Sequence, residues 1–317
     1  MKKNIKHFFL LTALAAGTIH IVNRFVDMTA EMKNILKSQK GDYYDWKNGR
    51  IFYTKRGTGS PLLLIHELNP ISSSYEWCRM VKKLEKNHTV YTIDLLGCGR
   101  SDKPYLTYTN YLYVQLLTDF IRNVIGEAPD VITTNNSVSF AVLAQNMNKN
   151  LMKQIIAINP PTLGTFERTP DKFSTVKKTL LELPIIGTFI YNVRTHETNI
   201  AKELRGSYFC KPQLVSSKML DAYYEAAHMN RSHGKYLMAS IDGHYTDNAI
   251  SHALKKLEIP IYIIESRSIP NAVSIADSYA RKNSLIETAY ISNAGLVPQL
   301  EVPDKLLSII HMFLNDN

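Results

Sequence analysis

Cysteine is scarce in this sequence, and the three present, Cys78, Cys98 and Cys210, lie far apart. They cannot build a disulfide framework, and with no C-x-x-C pair and no Cys/His pairing they offer no zinc site. No metal and no cofactor is expected. The chain also lacks any low-complexity tract or internal repeat, and 45% of its 317 residues are hydrophobic. That composition belongs to a folded protein and not to a solvated, disordered one. A run of basic residues is missing as well, although the formal charge is +9. The lysines and arginines come in ones and twos, as in Lys82-Lys83, Lys177-Lys178 and Lys255-Lys256. Without a basic stripe or a nucleic-acid-binding signature, no nucleic-acid partner is expected. Net charge informs on solubility before it informs on partners, and an anionic membrane surface suits the excess better.

An apolar run of the roughly 20 residues that span a bilayer is absent too. Residues 8–22 are apolar apart from Thr12, Thr18 and His20, behind a start that carries Lys2, Lys3 and Lys6. Three readings fit. A cleaved signal peptide matches the basic start and the small residues Ala13-Leu14-Ala15, but the apolar stretch before them is short. A soluble or interfacial helix matches the length. An uncleaved anchor over residues 8–26, with Arg24 snorkelling to the interface, is the expectation adopted. The early lysines lean towards an inside N-terminus and an extracytoplasmic domain, whereas Arg24, Lys33, Lys37 and Lys40 lean the other way.

Beyond this segment the chain is organised by rhythm. Met32, Ile35 and Leu36 give residues 29–39 a helical apolar face. Residues 45–53, with Gly57 and Gly59 close behind, predict a hairpin with a glycine turn. The unbroken apolar run 61–66 predicts a strand buried on both faces, and 88–94, 130–134 and 154–159 repeat the pattern. Between them, 73–84, 110–126 and 137–147 have helical spacing. Strand and helix in alternation mean a mostly parallel sheet flanked by helices, an α/β fold. From 162 the pattern turns helical, with Leu220, Tyr223, Tyr224 and Ala227 marking one apolar face. Strand and helix resume at 259–265, 272–282, 286–292 and 303–314. The expected organisation is therefore an anchor over 1–26, a linker helix over 27–44 and an α/β core over 45–161. A helical cap over 162–250 and the rest of the core over 251–317 complete it.

Residues 94–104 are similar to the D-x-x-G-x-G-x-S-x-x-P turn that many members of the α/β-hydrolase superfamily place after a central strand. Gly97 and Gly99 suit backbone angles closed to other residues, and Asp94 and Ser101 can bond the loop. With the strand order and the inserted cap, residues 45–317 resemble a cap-bearing member of that superfamily. The resemblance implies acyl transfer by a serine at a strand-to-helix elbow, a histidine base and an orienting acid.

Carried over position by position, the resemblance makes Ser137 the candidate nucleophile, within Asn135-Asn136-Ser137-Val138-Ser139 where the family has G-x-S-x-G; the other reading of Ser137 is the N-cap of the helix that follows. It implies backbone oxyanion donors in the loop at His66 and Glu67 and at Val138. The Glu67 carboxylate would oppose the charge that develops there. The acid position falls on Ser268, with Glu265 the nearest carboxylate. The base position falls on Leu296, which can neither take nor give a proton, and a serine without a base is a poor nucleophile at neutral pH. His66, His233 and His244 are the remaining candidates for a base. Two functions are expected from this. The first is a membrane-anchored, catalytically impaired protein that binds a small apolar ligand in the cleft under the cap. The second is a serine hydrolase of small or lipid-like esters with a non-standard base. Tyr191, Tyr208, Tyr223, Tyr224 and Tyr236 either line that cleft or simply pack the cap.

Overall fold

The apolar runs become the inner strands of one mixed sheet in the computed structural model, which describes residues 2–314; the side chains of residues 1–9, 11–13 and 31 fall outside that description. Eight strands are present: β1 (Asp42–Trp46), β2 (Gly49–Arg56), β3 (Ser60–Ile65), β4 (His88–Ile93), β5 (Asp130–Thr134), β6 (Gln154–Ile158), β7 (Ile261–Ser266) and β8 (Ile286–Ile291). Their order is β1-β2-β4-β3-β5-β6-β7-β8. From β4 across to β8 every pairing is parallel, and β1 and β2 form an antiparallel edge.

Alternation along β3 shows why a continuous apolar run is required. Leu63 and Ile65 enter a core with Val138 and Ala141, while Leu62 and Leu64 enter a second core with Trp77 and Leu306 on the opposite face. Both faces are therefore covered by helices. In chain order these are α1 (Lys2–Glu31), α2 (Val81–Leu84), α3 (Asn110–Phe120) and α4 (Val138–Met147). Between β6 and β7 come α5 (Lys172–Glu182), α6 (Ile186–Arg194), α7 (Glu197–Glu203), α8 (Ser217–His228), α9 (Gly234–Asp242) and α10 (Ser251–Lys256). The chain closes with α11 (Ala272–Ala280), α12 (Pro298–Glu301) and α13 (Pro303–Leu314). Helices α5 to α9 form a cap that reaches the loops after the parallel strands. Tyr208 meets the loop after β3, and Lys103, after β4, donates to the Ala226 carbonyl at 2.6 Å.

Three local expectations change. The hairpin turns at Lys47-Asn48, not at the glycines, because β4 lies between β2 and β3 and the Gly57–Gly59 turn only leads into the next parallel strand. Residues 73–84 break into a single 3-10 turn, Ser74–Trp77, and the short α2. Of the helix foreseen over 29–39 only 29–31 is helical, as the end of α1, and the rest is turns. Asn34 takes a left-handed φ of 52°, and the N–H groups of Ile35, Leu36 and Lys37 turn to the carboxylate of Glu225 on α8 at 2.6 to 3.1 Å. A carboxylate that satisfies three backbone donors ends the helix. The anchor expected over 8–26 lies within α1, and among the described residues no helix is long and apolar enough to cross a membrane.

Candidate functional site

The loop after β4 is built around one carboxylate. Asp94 accepts from the backbone of Ser74 and Arg100 at 2.8 Å each and from Arg100 Nε at 2.7 Å. Ser101 donates to the Asp94 carbonyl and accepts from Phe52 N–H, which ties the loop to β2. At Gly99, with φ of 47°, an added Cβ would stand 2.4 Å from Asp94 Oδ2, so only glycine fits. Burial alone would raise the Asp94 carboxyl, but the Arg100 guanidinium outweighs it and holds it well below the usual carboxylate range. This loop frames the site, and its Leu95 N–H bonds the His66 ring.

The elbow itself comes after β5. Pairing with β6 ends at Thr134, opposite Ile158, and the next residue, Asn135, has φ of 49°. The strained position at the strand-to-helix junction is thus Asn135, a residue type that tolerates left-handed angles. Ser137 comes two residues later in ordinary helical conformation, φ −64° and ψ −18°. Its hydroxyl is buried and donates to the His66 carbonyl at 2.6 Å. It accepts no bond from the first turn of α4, so it does not act as a side-chain cap either. The structure brings Asn135, and not the expected Ser137, to the sharp turn.

Asn135 faces a cluster of polar groups. Its Nδ2 donates to Glu67 Oε1 at 3.0 Å, and Tyr208 of the cap donates to Glu67 Oε2 at 2.6 Å. Burial pushes the Glu67 carboxyl up to about 7; the Tyr208 hydroxyl works against that rise. Beneath it, Glu76 is fully buried, and burial followed by the nearness of Glu67 pushes its carboxyl up to about 8. Gln299 Nε2 and Thr134 Oγ1 donate to Glu76 Oε2 at 3.2 and 3.3 Å.

The expected oxyanion donors are engaged within the chain. The Glu67 N–H points at Glu76 Oε2 at 3.5 Å, and the Val138 N–H bonds the carbonyls of Asn135 and Asn136. Asn136 pairs with Leu68 in both directions, accepting from its N–H at 2.9 Å and donating to its carbonyl at 3.1 Å. A substrate oxygen would have to compete with these partners.

Among the described residues no base is assembled beside Ser137. The His66 ring accepts from Leu95 N–H through Nε2 at 3.0 Å and so carries its proton on Nδ1, toward the Glu67 carbonyl at 2.6 Å. Burial lowers its pKa to about 4, which keeps it neutral. His244 pairs with Asp247, and His233 packs on the Tyr236 ring. Leu296 packs into the apolar cluster of α8 and Tyr208, while its carbonyl and that of Gly295 accept from Asn159 Nδ2 at 3.0 Å. Asn159 has φ of 47° at the end of β6 and also accepts from Ser266 N–H at 2.7 Å. Ser268 points outward and contacts Cys210 Sγ. Glu265 is buried among apolar side chains with no hydrogen-bond partner for either oxygen, and burial pushes it up to about 8.

Beside the elbow a cavity of about 240 Å³ opens between core and cap. Glu67, Asn136, Arg194 and Glu203 supply its polar wall, and Leu68, Ile200 and Met238 part of its apolar one. Arg194 is paired with Asp242 on the same wall. Of the five cap tyrosines, Tyr191, Tyr208, Tyr223 and Tyr224 are buried and Tyr236 is half-buried; none lines this cavity, so they pack the cap. Glu76 and Gln299 are the site residues that sequence reasoning missed, whereas Asn135 and Tyr208 were named there, in the elbow motif and among the cap tyrosines, without these contacts.

No protein-family model matches the chain. A curated relative, the 2-hydroxy-6-oxo-6-(2'-aminophenyl)hexa-2,4-dienoic acid hydrolase of Metapseudomonas resinovorans, is 32% identical over 71 residues. That stretch is 22% of this chain and 24% of the relative, so the match spans about a quarter of the relative's length. The crystal structure of a serine hydrolase involved in carbazole degradation aligns over 88% of this chain and 99% of its own, with a TM-score of 0.70 and 15% identity. A membrane phospholipase A, described as a bacterial virulence factor, aligns over 99% of this chain and 98% of its own, at TM-score 0.68 and 19% identity. Strand order, cap insertion and these likenesses agree: the chain has an α/β-hydrolase fold.

Proposed function

We propose that this chain is a membrane-associated α/β-hydrolase-fold protein in which catalysis has given way to ligand binding at the elbow cavity. One observation carries the reading. The sharp turn after β5 holds Asn135, a poor nucleophile, with its amide bonded to Glu67, while Leu296 stands at the base position. Fold alone does not carry activity, and here no activated nucleophile stands at the turn, so the raised Glu67 carboxyl has no attacking group to serve. The mixed lining suits a small amphipathic molecule, its apolar body against Leu68, Ile200 and Met238 and a hydrogen-bonding head toward Glu67. The membrane half of the reading draws support from the apolar, lysine-led N-terminus and from the likeness to a membrane phospholipase A across nearly the whole chain.

The test is active-site labelling of the purified full chain with a fluorophosphonate probe, beside Ser137→Ala. A folded protein that takes no label is the expected result. Labelling of the wild type that disappears in Ser137→Ala would overturn the reading in favour of a serine hydrolase.

A further inference from the structure

Helix α1 meets the body through a mixed face, with Val26 and Ala30 in an apolar cluster beside two polar residues, and it leaves large apolar side chains outward. Asn23 and Asp27 are buried at 4% and 8% exposure, whereas Ile21 and Phe25 stand 69% and 63% exposed. The inward side is satisfied by specific bonds. Asn23 donates to the Ile185 carbonyl and accepts from Asn192 Nδ2 of α6, and Asp27 accepts from Ser232. The neighbouring cap helices also leave apolar side chains outward, although they bury Leu181 and Tyr191 inward. On α5, Ser174 is buried while Phe173 and Val176 are 74% and 65% exposed, and α6 leaves Ile186 half exposed beside α1. Since α1 packs on α6 and α6 on α5, one layer of three helices turns an apolar surface outward.

We infer that the outward faces of α5 and α6 lie in the interfacial region of an anionic lipid bilayer together with α1, so that the cap itself docks on the membrane. The inference rests on the membrane half of the proposed function and extends it to the cap. Charge selects the occupant. Helix α5 carries Lys172, Lys177 and Lys178 against Glu182, and α6 carries Arg194 as its charged residue. Helix α1 carries Lys2, Lys3, Lys6 and Arg24 against Asp27 and Glu31. Helices α1 and α5 are net basic, whereas Arg194 of α6 is paired with Asp242 at the cavity, and apolar side chains flanked by lysines are the pattern of a helix lying in a headgroup layer. A self-association face of the same helices would instead set these like charges against one another. The elbow cavity lies under this cap and is lined by Arg194 and Thr195 at the end of α6 and by Ile200 of α7, so docking would bring it close to the lipid.

The experiment uses the full chain with vesicles of phosphatidylcholine alone or mixed with phosphatidylglycerol. Phe173→Trp places a reporter on α5, and the two native tryptophans, Trp46 and Trp77, are buried at 6% and 0% and stay silent. The expected result is a blue shift of the Phe173→Trp emission with the anionic vesicles, weaker with the neutral ones. Flotation of a Phe173→Asp/Val176→Asp double variant, checked for its native melting curve, should fall about tenfold relative to wild type. If the wild type fails to float at all, the membrane reading itself is wrong. If it floats but neither the emission nor the double variant responds, α1 alone carries the contact and this inference is overturned. A blue shift that grows with protein concentration in the absence of vesicles, with a doubled mass in sedimentation, would assign the face to a second copy and overturn it too.

Discussion

The Asn135 side chain reaches across the cleft floor and donates to Glu67 Oε1 at 3.0 Å, joining the turn after β5 to the loop after β3. By the α/β-hydrolase resemblance those two places would hold the nucleophile and the oxyanion donors, facing a substrate. Here they face each other. The contact is closed from the cap side by Tyr208, which holds the other oxygen of the same carboxyl.

That geometry separates two substitutions. Asn135→Gly forfeits the bond to Glu67 but accepts the left-handed φ of 49° without penalty. Asn135→Ala forfeits the bond and adds the cost of a Cβ in that conformation, about 1–2 kcal/mol. Urea unfolding should therefore find the alanine variant about 1 kcal/mol less stable than the glycine one. Equal stabilities would mean that the turn is not strained.

Ser137 makes a different prediction. Its buried hydroxyl serves the His66 carbonyl, and a buried bond of that kind contributes about 1 kcal/mol. Ser137→Ala should lower stability by about that amount and leave binding at the elbow cavity unchanged, as read by a ligand-induced melting shift. A variant that folds normally but loses ligand would move Ser137 into the site.

The sheet was legible because a strand buried on both faces has to be apolar throughout, and residues 61–66 or 154–159 have little other use. The last helix was legible residue for residue, since Pro303 both stops the helix before it and starts α13. The elbow was legible only in kind. Its pattern points to Ser137, but the turn falls where β5 stops pairing with β6, at Thr134, and that register depends on strands far away in the chain. Tyr208 could be named only as one of five cap tyrosines, and its bond to Glu67, 141 residues away, was not legible. Contacts between cap and core are set by the packing of whole helices, which periodicity does not encode.

The Asp94–Arg100 pair tests how firmly the frame is held. Both side chains are almost fully buried, at 0% and 2% exposure, and Arg100 also stacks on the Phe52 ring at 3.9 Å. Removing one partner of such a pair leaves the other charge without compensation, at a cost of about 3–5 kcal/mol. Asp94→Ala should show that loss in denaturant unfolding, or fail to accumulate as folded protein. Arg100→Lys keeps the charge but not the fork that meets the carboxylate, and should lose less, about 1–3 kcal/mol. A loss below about 1 kcal/mol for Asp94→Ala would show that the loop holds its shape without the ion pair.

Stability should also fall as pH rises from about 6.5 to 8. Burial raises Glu67 to about 7 and Glu76 and Glu265 to about 8, against an ordinary 4.5 in the unfolded chain. In that window the folded state holds protons that the unfolded state has released, so unfolding becomes easier with each rise in pH, by about 1.4 kcal/mol per pH unit for each carboxyl still protonated. Buried His66 and His228, both lowered to about 4, act in the opposite direction, but only between 4 and 6.5. Below 6.5 the two trends oppose each other, and above it the carboxyls act against no such histidine effect. Glu265 is the cleanest probe, because its oxygens have no hydrogen-bond partner and its shift comes from burial alone. Glu265→Gln should flatten the decline of unfolding free energy between pH 6.5 and 8, and near pH 6 it should already escape the loss of about 2 kcal/mol that this carboxyl costs the wild type between 4.5 and 6. An equally steep decline in the variant would show that Glu265 is ionised in the folded protein and reached by water.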